Sequence, residues 1–301
     1  MSQWVHKEQA RRCGGNGQQP SDEPTAAMYQ EIGDQACADG HLHEAIEYYK
    51  RAVRLEGDNP DYHARLGDAY LSVENASQAL SHYRRALEVN PGHGDTHFGL
   101  AEIYRRFGRL KGAITLYRKA VLLVPNNPWY HYRLASAYTQ AGRTELAIAE
   151  LTEAIRLAPH EAFYHFWLGD LYLQLHHVAD GMRELEIAVS CAPYDDYYCV
   201  RLGMAYTLLG RGEEAVAIFR RAIRLRPRSA SYHCLLADAY ATMGYALRAA
   251  MHYEIAGELD PYDKEYVARM RRRNTDLAPF VPDLNIPTQS VPPPLDGCAD
   301  D

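Results

Sequence analysis

Five histidines of this chain share one register. His63, His97, His131 and His165 follow one another at intervals of 34 residues, and His233 lies two intervals beyond, with Cys199 between. Imidazole is the commonest metal ligand, and its charge changes near neutral pH. A metal centre needs ligand nitrogens converging at about 2.1 Å from one ion. Equivalent residues of stacked repeats stand a helix-packing distance apart, roughly 8–10 Å. The ladder therefore reads as packed side chains rather than a metal centre. The pairs His41/His43 and His176/His177 lack the i, i+4 spacing and nearby cysteines of a helical site, and read as surface histidines.

The remaining reactive groups are equally quiet. Six cysteines (Cys13, Cys37, Cys191, Cys199, Cys234, Cys298) contain no CxxC, so reduced thiols in a cytoplasmic compartment are expected. Cys199 and Cys234 read as buried, inert thiols. No GxSxG, GxxxxGK[ST], HExxH or GxGxxG fingerprint occurs. No cofactor, no metal and no enzymatic activity are expected. The run Arg269, Arg271, Arg272 and Arg273 reads first as cations favouring a helix C-terminus. Its second reading is a clamp for an acidic partner, such as the Asp-bearing C-terminal tail.

Composition narrows the function further. With 47% apolar residues the chain can bury a continuous core, and a net charge of −7 offers no general basic field to nucleic acid or anionic lipid. No apolar run approaches the 18 or so residues of a membrane span. The stretch MSQWVHKEQARRCGGNGQQP lacks the apolar region of a secretory signal.

What must position these residues is a repeat. LGDAY at 66–70 returns as LAEIY, LASAY, LGDLY, LGMAY and LADAY, each 34 residues on. Counted from Ala26, seven copies fill 26–263 without insertion: 26–59, 60–93, 94–127, 128–161, 162–195, 196–229 and 230–263. Position 27 of every copy is Ala, position 32 is Pro in six, position 11 is Tyr in six, and position 8 is always small. Positions 4, 7, 8 and 11 form the apolar stripe of a first helix, and positions 20, 24 and 27 that of a second. Gly at position 15 (Gly40, Gly108, Gly142, Gly210, Gly244) suits a left-handed cap, and the Pro at 32 stops the second helix. Thr25, Asn59, Asn127, Asp195, Ser229 and Asp263 stand where N-caps are needed. One copy cannot bury both stripes, so the copies must stack.

Through Leu66, Gly67, Tyr70, Ala79, Tyr83, Ala86 and Pro91, and their counterparts in the other copies, the chain resembles the tetratricopeptide repeat proteins. The resemblance implies an all-α, right-handed superhelical solenoid of antiparallel helix pairs. The usual Trp near the start of the first helix is replaced by His or Cys. Copy five departs with His176 in place of Gly and Gly181 in place of Ala, so a weak point or bend is expected between copies five and six. Residues 264–274 are expected to be a capping helix, while 1–25 and the Pro- and Asp-rich 275–301 are expected to be unstructured.

The resemblance also implies where a partner would lie. In this family positions 2, 5, 9, 12 and 13 line the concave groove. Here they supply Phe98, Trp129, Tyr132 and Phe166 as aromatic anchors, with Asp68, Glu102 and Asp170 as carboxylates and Arg105 beside them. Arg133 at position 6 lies near the groove wall. The expected partner is a protein or peptide whose apolar or aromatic segment is flanked by basic residues. Pairing of Arg105 and Arg133 with those carboxylates would weaken the basic preference and leave shape in control. The Lys/Asn carboxylate clamp of chaperone-binding members is absent, since its places read Gln30, Asp34 and Asp68. The sequence thus reads as a monomeric scaffold or adaptor. The alternative is a non-catalytic accessory subunit of an enzyme or assembly complex, for example in glycosyl transfer.

Overall fold

A computed structural model describes residues 24–264 and Ala268; the rest of the expected N-terminal segment, capping helix and tail lies outside them. The described residues form fourteen α-helices and no strand. The first helix of each copy is α1 (Ala26–Ala38), α3 (Pro60–Ser72), α5 (Gly94–Arg106), α7 (Pro128–Gln140), α9 (Ala162–Gln174), α11 (Asp196–Leu208) and α13 (Ala230–Thr242). The second helices are α2 (Leu42–Leu55), α4 (Ala76–Val89), α6 (Leu110–Leu123), α8 (Thr144–Leu157), α10 (Val178–Cys191), α12 (Gly212–Leu225) and α14 (Ala246–Leu259). Each first helix packs on its own second helix, as short loops between helices dictate. The fold is the all-α array of helix pairs that the repeat predicts.

Small-against-large packing holds each pair together. The seven Ala at position 27 are all fully buried. At position 8 a Cβ on Gly67 would stand 2.5 Å from the Tyr83 ring, and one on Gly203 would stand 2.5 Å from Phe219. The ring at position 24 thus fills the gap that the small residue leaves. In copy five the approach is closer still: a Cβ on Gly181 would meet the Gly169 carbonyl oxygen at 2.9 Å.

Local signals set the helix ends. Side chains of Thr25, Asn59, Asn127 and Asp195 accept from the first-turn N–H groups of α1, α3, α7 and α11. In copy three His93 takes that role, its Nδ1 accepting from Thr96 N–H. Ser229 does not cap α13; its hydroxyl bonds instead to that of Ser231, two residues on. All five glycines at position 15 have φ between 70° and 81°, and Glu74 and His176 adopt 60° and 61° in the same place. His177 N–H still reaches the Tyr172 carbonyl at 2.9 Å, the bond that Arg143 N–H makes to Tyr138 in copy four. The turn expected to weaken copy five therefore keeps the common geometry.

The described residues fall into two compact units that divide between Pro91 and Gly92. Within the second unit, positions 18 and 22 of the last copy hold Leu247 and Met251, which are 85% and 61% exposed. Other copies carry His43, Ser77, Lys111 or Glu213 at position 18.

Candidate functional site

The acidic side chains at position 9 belong to a bonded network. Tyr49, Tyr83, Tyr117 and Tyr253, all at position 24, donate their hydroxyls to Asp34, Asp68, Glu102 and Asp238 of the same copy. Copies four and six lose both partners together, reading Ser136 with Leu151 and Met204 with Phe219. An arginine at position 6 of the following copy grips the carboxylate from the other side. Arg133 Nε donates to Glu102 at 2.7 Å, Arg201 pairs with Asp170, and Arg65 lies 3.9 Å from Asp34. Arg105 adds a 3.0 Å bond to Glu102. Burial would raise the Glu102 pKa, but the charge and hydrogen bonds of Arg133, with Arg105, outweigh it and hold the carboxyl below its ordinary value. These carboxylates serve the fold first. The basic flank expected of a ligand loses most of its reason, and the pairing with Arg105 and Arg133 is realised.

The aromatic side chains form a continuous wall on the N-terminal halves of α7, α9 and α11. Trp129 lies 5.1 Å from Tyr132, whose ring meets Phe163 at 4.7 Å and Trp167 at 5.8 Å. Phe166 continues the chain to Trp167, Tyr197 and Tyr198 at 5.2–5.6 Å. Arg133 stacks over Trp129 at 5.5 Å and Arg201 over Phe166 at 5.9 Å.

The nine residues singled out from the sequence divide accordingly. Phe98 and Trp129 are half-buried, as are Glu102, Arg105 and Arg133, while Asp68 is exposed and lies in the first unit. Tyr132, Phe166 and Asp170 are buried at 7%, 2% and 4% exposure, which corrects their expected place on an open groove surface. The reason is packing between copies. A ring at position 5 lies against positions 2, 3 and 6 of the next first helix, as Phe98 does on Tyr130 at 4.3 Å. The accessible layer over Tyr132 and Phe166 consists of Phe163, Trp167, Tyr197 and Tyr198, all half-buried. Phe163 and Tyr197 occupy position 2, the position that supplied Trp129, so the repeat register already pointed to them.

The histidine ladder pins copies together. Nε2 of His131, His165 and His233 donates to the carbonyls of Pro125, Pro159 and Pro227 at 2.9–3.3 Å, and His63 does so to Gly57. Nδ1 meets position 23 of the same copy: Glu150 and Glu184 at 2.7 Å, or His82 and His252 at 3.1 Å. A histidine donating from both nitrogens to carbonyl and carboxylate is an imidazolium, whereas a His–His bond needs a neutral acceptor. Burial lowers the His131 pKa, yet the bonds to Glu150 and Pro125 raise it overall; the Glu184 bond raises that of His165 despite burial. Burial lowers the pKa of His82, His233 and His252. No three His, Cys, Asp or Glu side chains converge among the described residues, and Cys199 and Cys234 are fully buried thiols.

Comparison with known proteins gives one consistent result. Family models for tetratricopeptide repeats match residues 64–128, 105–165, and 33–73 with 203–244. No curated protein sequence matches. The C-terminal part of a TPR repeat-containing protein from Cytophaga hutchinsonii superposes with a TM-score of 0.64 at 17% identity, covering 79% of this chain and 98% of that one. The pilF protein of Pseudomonas aeruginosa gives 0.58 at 22% identity, over 71% of this chain and 97% of that one. YrrB, a TPR protein with an unusual peptide-binding site, gives 0.50 at 18% identity, over 60% and 92%. At such identities the likeness speaks for the fold.

Proposed function

The chain belongs to the tetratricopeptide repeat family, and we propose that it is a non-catalytic scaffold that holds a partner protein by a peptide segment laid across the ring wall of copies four to six. One observation carries this reading. Half-buried Trp129, Phe163, Trp167 and Tyr197 collect on one stretch of three consecutive first helices, and clustered accessible aromatics are typical binding anchors. The peptide-binding site of the structural neighbour YrrB supports it. Glu102 and Asp170 are committed to Arg133, Arg105 and Arg201, so shape and ring contact govern recognition rather than a basic flank. Net acidity argues against a nucleic-acid ligand, and no described helix is long and apolar enough to cross a membrane. Action as a monomer in the cytoplasm completes the proposal.

The test begins with co-purification and mass spectrometry, followed by affinity measurement on the identified segment. Trp129→Ala combined with Tyr197→Ala should weaken binding at least about thirtyfold, at 1.4 kcal/mol per tenfold, with helicity unchanged. Normal binding by this double variant, and loss through changes on the second helices, would place the site elsewhere.

A further inference from the structure

The wall's hydrogen-bonding inventory is lopsided. The Trp167 indole N–H and the Tyr197 hydroxyl are shielded from water, yet neither has a hydrogen-bond partner in the protein. A donor buried without an acceptor loses its hydrogen bonds to water and gains none in return. Two carboxylates of these copies are already taken: Glu102 by Arg133, Arg105 and Tyr117, and Asp170 by Arg201 and Gln174. The surface thus offers apolar rings and unanswered donors.

A polyproline-II segment is the converse. It has no internal hydrogen bonds, so its carbonyls remain open acceptors, and proline has no N–H to satisfy. Such segments characteristically dock in aromatic-lined grooves. A modest turn of the Trp167 or Tyr197 ring toward the surface would bring its donor to such a carbonyl. The chain carries a suitable segment itself. Residues 287–296 read PTQSVPPPLD, and residues 275–301 hold six Pro and no Lys or Arg. They follow copy seven in the sequence. From residue 264 to 291 the chain spans up to about 90 Å when extended, well beyond the few helix diameters back to copy five.

Resting on the proposed peptide-binding role of the wall, we infer that the chain's own proline-rich segment, residues 287–296, occupies the aromatic wall of copies four to six in cis and must be displaced by a partner. Tethering supplies an effective concentration in the millimolar range, enough to mask a site of modest affinity about tenfold.

The experiment compares the 301-residue chain with its Pro292→Ser/Pro293→Ser/Pro294→Ser variant, both carrying Trp4→Phe. The remaining tryptophans, Trp129 and Trp167, then both report on the wall. A synthetic PTQSVPPPLD peptide is titrated while their emission is followed. The peptide should bind the triple-Ser chain about tenfold more tightly than the unaltered one, and Trp129→Leu should abolish the response with helicity intact. Equal affinity for both chains would show the wall unoccupied and overturn the inference, as would no binding to either. If neither chain binds this peptide but the co-purified partner segment still requires Trp129, the scaffold reading stands and only the cis occupant falls.

Discussion

Arg133 reaches from its own first helix to the preceding one and binds Glu102 in fork-to-fork fashion, its Nε 2.7 Å from Oε1. The two side chains are only 14% and 13% exposed, so each charge depends on the other.

Arg133→Ala should therefore cost about 3 kcal/mol, the scale of a buried pair broken on one side. Glu102 then keeps the burial without its chief counter-charge, and its pKa rises. In the unaltered protein a depressed carboxyl contributes stability above the unfolded value of about 4.3, which is lost as pH falls through the folded value. In the variant the sign reverses, and protonating Glu102 relieves the fold. The deficit in thermal midpoint should shrink between pH 7 and pH 4. An equal deficit at both pH values would contradict the assignment.

The ladder histidines should give two opposing pH limbs. His131 and His165, with raised pKa values, stabilise fully below the unfolded value of about 6.5 and lose that contribution as pH rises through their folded values. His82, His233 and His252 behave oppositely. They contribute above about 6.5 and lose the contribution on acidification. Lys50 and Arg220 add to the depression of His82 and His252, and the rings of Tyr70 and Tyr240 stack on those histidines. Thermal midpoints from pH 5 to 8 should show Glu150→Gln/Glu184→Gln flattening the alkaline limb. His82→Asn/His252→Asn should flatten the acid one. If both double variants follow the parent curve, the pairs carry no titration.

Gly181→Ala sets helix propensity against space. The methyl gains about 1 kcal/mol of propensity, while its clash with the Gly169 carbonyl forces a shift costing about 1–3 kcal/mol. The net should be a loss near 1 kcal/mol in denaturant unfolding, growing for Gly181→Val. A more stable Ala variant would show that the helices part freely.

Left-handed caps offer gains in the other direction. His176 and Glu74 hold a conformation that costs a non-glycine residue about 1–2 kcal/mol. Replacing either by Gly should stabilise by about 1 kcal/mol, and the two changes should add because they lie in different copies. Loss of stability in either variant would mean that its side chain makes a contact worth more than the strain.

Most of the fold was legible because its determinants are periodic. Position 27 is Ala in all seven copies and position 32 Pro in six, and a register read once applies seven times. The site was only half legible. Phe98 and Trp129 sit where the register places them, but burial depends on the neighbouring copy, so Tyr132 and Phe166 passed for surface rings. The bond from position 24 to position 9 joins residues fifteen apart on separate helices. Only the joint loss of acid and Tyr in copies four and six betrays it. The position 4 to position 23 pairing is similar: the rings of Tyr29 and Tyr48 stack at 6.5 Å, and in copy six the two positions read Cys199 and Ile218, which cannot form the polar bond.

Leu247 and Met251 give the last helix pair a different handling character from the rest. Their outward positions carry mainly polar or small side chains elsewhere, and those favour a dispersed solution. Two neighbouring apolar tips on α14 lower the colloidal barrier at that end of the chain. Concentrated stocks should therefore cloud through copy seven first. Leu247→Glu with Met251→Lys is accordingly the change to make before crystallisation or long storage, since neither side chain contributes to the core.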